Sequence, residues 1–103
     1  MVLVNTDYIT GKNLAILGLV KGSVVQAKHI GRDIMASFKT IVGGEIVGYT
    51  DLMNEARAIA THRMIEEARA MGADAVVNVR FVSAEVMQGC AEVIAYGTAA
   101  KYV

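Results

Sequence analysis

The chain has 103 residues, 54% of them hydrophobic and 19% charged, with ten basic and ten acidic side chains and a pI near 6.7. That length suits one domain, 1–103, and a net charge of zero with no basic run disfavours nucleic acid as a partner. No apolar run approaches the roughly 18–20 residues of a membrane span, and the start MVLVNTDY lacks the basic and apolar stretches of a secretory signal, so a cytoplasmic location is expected.

In chain order, the first structured stretch is Leu14 to Gln26, LAILGLVKGSVVQ. It contains two β-rich pieces separated by Lys21 and Gly22, and a glycine at the second turn position predicts a tight hairpin with a strand on either side. From Ile30 the pattern changes. Ile30, Ile34, Phe38, Ile41 and Val42 recur at helical spacing among polar residues, predicting a first, short helix that Gly43 and Gly44 stop. EIVGY, Glu45 to Tyr49, is read as a connector.

The second helix is predicted from an N-cap at Thr50, with Asp51 and Glu55 near the positive end of its dipole, to a stop at Gly72. Met53, Ala56, Ala60, Met64, Ala68 and Met71 are spaced for one side of a helix of about 3.6 residues per turn. The small alanines allow a close approach to a neighbour while the methionines fill uneven gaps. Past Gly72 the period becomes two: Ala75, Val77, Val79 and Phe81 alternate with Asn78 and Arg80, as in a half-buried strand. Gly89 predicts a turn, and AEVIAYGTAAKYV a final strand with close backbone approach at Gly97. The expected order is ββααββ, an α+β fold in two layers with two helices on one face of a mostly antiparallel sheet. A mean hydropathy of +0.43 leaves more apolar surface than one small subunit hides, which predicts self-association.

The ordered set KGSVVQAKHIGRDIMASFKTIVGGEIVGYTDL, the EAR of Glu55 to Arg57, ARAMGADAVVNVRF and AEVIAYGTA resembles the YbjQ-like, or UPF0145, proteins over nearly the whole chain. The resemblance implies a dodecin-like α+β subunit that forms a ring-shaped homopentamer. It implies no established activity, although members commonly carry a heavy-metal-binding label.

Soft metals favour several converging thiolates and imidazoles. Here Cys90, His29 and His62 are far apart in sequence, so one subunit supplies no cluster, and only repetition of Cys90 or His29 around a ring axis would build a site for a soft divalent metal. The plainer reading makes Cys90 a small apolar residue beside a turn. As the only cysteine it allows no internal disulfide and suits a reducing compartment. His62 and Glu66 share a helix face but read as a solvated or subunit-contact surface with Glu55 and Arg69.

Asp33, Lys39, Glu45 and Tyr49 cluster in sequence around Gly43 and Gly44, whose backbone N–H groups are candidates for holding an anion or small ligand at a subunit boundary. The plainer reading there is a polar loop. No phosphate-loop spacing and no flanked nucleophile occurs, so catalysis is the weaker class. The expectation is therefore a self-associating binding or structural protein of unassigned small-molecule ligand. Its alternatives are a ring-repeated metal site and an enzyme with an intersubunit pocket.

Overall fold

The structure, a computed structural model, describes residues 1–27, 41–42, 45–87 and 90–103. In chain order the elements are β1 (Val2–Leu3), β2 (Leu14–Ala27), β3 (Ile41–Val42), β4 (Glu45–Ile46), α1 (Val47–Ala70), β5 (Ala75–Met87) and β6 (Cys90–Tyr102). Four strands form one mixed sheet in the order β1-β5-β6-β2. β5 and β2 flank β6 antiparallel, while β1 lies parallel to the start of β5. β3 and β4 pair antiparallel as a separate small ribbon. The α+β class stands, with one helix among the described residues rather than two.

Helix α1 lies along one face of the sheet, mainly over β2 and β6. Its fully buried residues are Leu52, Ala56, Ala60, Met64 and Ala68, each four positions from the last. A row of i, i+4 neighbours is inclined to the helix axis by about 26°. That incline leaves Met53, at one end of the expected stripe, only half-buried, while Met71, at the other, lies just past the last helical residue and is exposed. Beneath the helix, Val20, Val24, Val76, Val93, Ala95 and Ala99 complete the core.

Gly72 ends the helix as expected, and the geometry says how. Its φ of 77° is left-handed, its N–H donates to the Arg69 carbonyl at 2.9 Å, and the Ala73 N–H reaches back to the Ala68 carbonyl at 3.1 Å. These two bonds satisfy carbonyls the helix end would otherwise leave open. The start differs from expectation. Thr50 is not the N-cap, because α1 begins at Val47, so Asp51 falls beyond its first turn, and Glu45 and Ile46 are strand rather than connector.

Three further corrections concern strands. The hairpin expected at Lys21 and Gly22 is a single continuous strand, β2. Gly22 is buried under the helix: a Cβ built there would run into the Ala60 carbonyl and the Met64 nitrogen and stand 2.8 Å from Arg63 Cβ. Its role is closeness of packing rather than a turn. The expected first helix, Ile30 to Val42, lies outside the described residues except for Ile41 and Val42, which are strand β3. The alternation of β5 breaks at Asn78, whose φ is 54° and where the pairing with β6 slips between Val77 and Arg80. Ahead of that slip Ala75, Val76 and Val77 are all buried, and beyond it the strand runs exposed from Arg80 to Met87. The close approach at Gly97 is present, since a Cβ there would sit 2.7 Å from Val76 Cγ1 and 2.9 Å from the Val77 carbonyl.

Candidate functional site

The residues expected to hold a ligand or metal separate into two groups. His29, Asp33, Lys39, Gly43 and Gly44 lie outside the described residues. Glu45 stands in β4, opposite Val42, and Tyr49 in the first turn of α1. The backbone thus joins those two positions through a strand-to-helix junction, where the sequence had predicted a connector.

Cys90 opens β6, in register with Ala27 of β2 and Met87 of β5. It is a free thiol at 7% exposure. Among the described residues no three or more His, Cys, Asp or Glu side chains converge on a point that could hold an ion. A heavy metal taking soft thiolate and imidazole ligands therefore finds no matching donor set among the described residues of a single chain. His62 and Glu66 are both exposed on α1, and Glu66 Oε1 accepts a hydrogen bond from Arg69 Nη1 at 2.7 Å, an ion pair between neighbouring turns. Among the described residues the core holds no buried polar or charged side chain. Any polar chemistry of these residues belongs to the surface.

Two surfaces stand out. The first is the sheet face that α1 leaves open. Pairing places Leu19 opposite Thr98, Val25 opposite Glu92 and Val82 opposite Ile94, all on the side away from the helix, since their neighbours Val20, Val24 and Val93 form the core beneath it. Leu19 is 71% exposed and Val25 59%. The second is the far half of β5, where every residue from Arg80 to Met87 is exposed, including Phe81, Val82, Val86 and Met87.

The two long strands treat their free edges differently. At β2, Glu67 Oε1 accepts the Lys21 backbone N–H at 3.3 Å, and Arg63 Nη1 donates to the Ser23 carbonyl at 2.7 Å. One helix thereby supplies an acceptor and a donor to backbone groups that a neighbouring strand would otherwise satisfy. At β5, β1 pairs with Ala75 and Val76, and the carbonyls of Thr6 and Val4 accept the N–H groups of Asn78 and Val79. Arg80 Nη1 adds a bond to the Asn5 carbonyl at 3.0 Å. Beyond Arg80 no described strand covers that edge. Sequence reasoning missed both features; the apolar content of FVSAEVM was a signal for the exposed half of β5, and nothing local marked the β2 contacts.

A profile of a family described as "Putative heavy-metal-binding" matches residues 1–103. The chain is 59% identical over 103 residues to a UPF0145 protein of Alkaliphilus metalliredigens, covering 100% of both. It is 56% identical over 101 residues to one of Clostridium novyi, covering 98% of each, and 52% identical over 102 residues to one of Methanosarcina acetivorans, covering 98% of this chain and 96% of the relative. In three dimensions it is similar to the crystal structure of a protein of unknown function, of the DUF74 family, from Pediococcus pentosaceus. The TM-score is 0.70 at 14% identity, over 100% of this chain and 98% of the other, a likeness of fold alone.

Proposed function

Because this chain belongs to the UPF0145, or YbjQ-like, family, we propose that it is a self-associating binding module whose subunits form a homopentameric ring in the cytoplasm. One observation carries the reading: the open sheet face and the far half of β5 expose large apolar side chains that a lone subunit leaves in water. Burying such surface gains roughly 25 cal/mol per Å², and contiguous patches of this kind mark contact sites. The number of subunits follows the sequence resemblance. The lone, buried thiol of Cys90 suits a reducing compartment. Sedimentation velocity at micromolar concentration is expected to give a multiple of the 11.0 kDa chain mass; a stable single chain overturns the proposal.

The heavy-metal-binding description of the family favours a second reading, in which the ring repeats Cys90, with or without His29, to make a soft-metal site that the described residues of one chain do not supply. Zinc or cadmium binding to the assembled protein, followed by calorimetry, tests it. Binding lost in Cys90→Ser with the assembly intact supports thiolate ligation, and unchanged or absent binding removes it.

A further inference from the structure

We propose that residues 4–13, the segment between β1 and β2, form a strap that lifts as one unit from the face α1 leaves open, with Arg80 as its latch. The inference is independent of the self-association reading.

β1 and β2 are the two edge strands of the sheet, so the segment joining them has to cross from one edge to the other. Three buried residues show which face it crosses. Val77 pairs with Thr98, which shares the side away from α1 with Leu19, and Ala75 pairs with Ala100, two positions further along β6 and so on that same side. Ala75, Val77 and Ala100 are at most 1% exposed, yet they stand outside the cluster beneath the helix. Among the described residues, the crossing segment is what covers them. Its Ile9 is half-buried, and its Lys12 Nζ stands 4.9 Å from the centre of the Tyr102 ring, two positions beyond Ala100.

The strap is fastened to β5 at a bulge. Asn78 and Val79 together stand opposite Gly97, two residues against one, and Asn78 takes a left-handed φ of 54°, which costs any residue but glycine. Both amides are turned to the strap. Asn78 N–H donates to the Thr6 carbonyl at 2.8 Å and Val79 N–H to the Val4 carbonyl at 3.0 Å. Arg80 Nη1 donates to the carbonyl between them, that of Asn5, at 3.0 Å. Three successive carbonyls of the strap are thus held by three successive residues of β5.

Against these ties the strap buries little of itself, since every residue from 4 to 13 except Val4 and Ile9 is exposed. A segment held by exposed hydrogen bonds with few buried apolar contacts opens at a lower free energy than the whole fold. Lifting the strap frees Asn78 from its left-handed conformation and bares two strand-edge amides together with the apolar patch of Ala75, Val77 and Ala100. A local step therefore opens or closes that patch while α1 and its core stay packed.

Amide hydrogen exchange on the full chain, read residue by residue, tests the device. The Val4, Asn78 and Val79 amides are expected to share one protection factor, roughly tenfold below that of Val93 and Ala95 in the central strand. Arg80→Ala, at an exposed position, is expected to lower that shared protection several-fold and leave β6 unchanged. Lys12→Ala removes a contact at the other end of the strap, and the loss is expected to reach Asn78 and Val79, by about two- to fivefold for an exposed cation–ring contact. Protection at the three amides equal to that of β6, a Lys12→Ala effect confined to the neighbourhood of position 12, or an unchanged strap in Arg80→Ala overturns the proposal. So does an equal loss across β6 in either variant, which marks general loosening. Self-association is decided separately, by the mass in sedimentation.

Discussion

At position 22 the space that a side chain would fill is taken by the backbone of α1, which sets the distance between helix and sheet. Gly22→Ala forces the helix outward along its whole buried row, and forced overpacking of a tight core costs about 3 kcal/mol at its upper typical end. Gly11 provides the contrast. Its φ is 76° but nothing lies within 4 Å of a Cβ built there, so Gly11→Ala carries only the left-handed backbone penalty, about 1 kcal/mol. Urea denaturation of the two variants is expected to give midpoints well separated, with Gly22→Ala the lower; equal midpoints would mean the helix is free to shift. Cys90 poses the opposite problem at this scale. It is buried, and of its neighbours in register Ala27 offers no donor and Met87 a single thioether, so a soft-metal site at Cys90 would need further donors from beyond the described residues of one chain.

Between elements, α1 supplies both the cover of the sheet and the guard of its β2 edge. Removing one guard, Glu67→Ala, leaves the Lys21 amide without its side-chain acceptor at a solvent-exposed edge, a loss of about 0.5–1 kcal/mol. Amide hydrogen exchange is expected to speed up at Lys21 several-fold while Val20 and Gly22, bonded within the sheet, stay slow; uniform change would point to general loosening instead. These elements also show what a sequence can carry. The switch of period at Gly72 gave the end of α1 and the start of β5, because capping and alternation are local. The hairpin misread at Gly22 and the alternation misread at Asn78 have non-local causes: a helix from later in the chain presses on one, and the carbonyls of the N-terminal segment capture the backbone beside the other. The candidate site was less legible still. Glu45 and Tyr49 were singled out from proximity in sequence, whereas Arg63 and Glu67 act through partners about forty residues away in the chain.

Across the whole molecule, the described chain is a thin body, 52 × 26 × 16 Å, with one helix covering one face of the sheet. A layer this thin has little interior for its apolar content, so stability and assembly are linked. Anything that binds the folded chain and not the unfolded one stabilises it by mass action, and another copy is such a ligand. A hundredfold rise in concentration is then worth about 2.7 kcal/mol to an association step. In a pentamer four such steps are shared among five chains, about 2.2 kcal/mol per chain, which at about 4–8 °C per kcal/mol for a domain of this size raises Tm by about 9–17 °C. Calorimetry from 5 to 500 μM is expected to show this rise in the wild type and a lower Tm at each concentration in Val82→Lys with Val86→Lys, which puts charge into the exposed apolar surface of β5 that self-association would cover. A Tm independent of concentration would mean that folding is complete without a partner, and the exposed sheet face would then have to be explained by a ligand other than the chain itself.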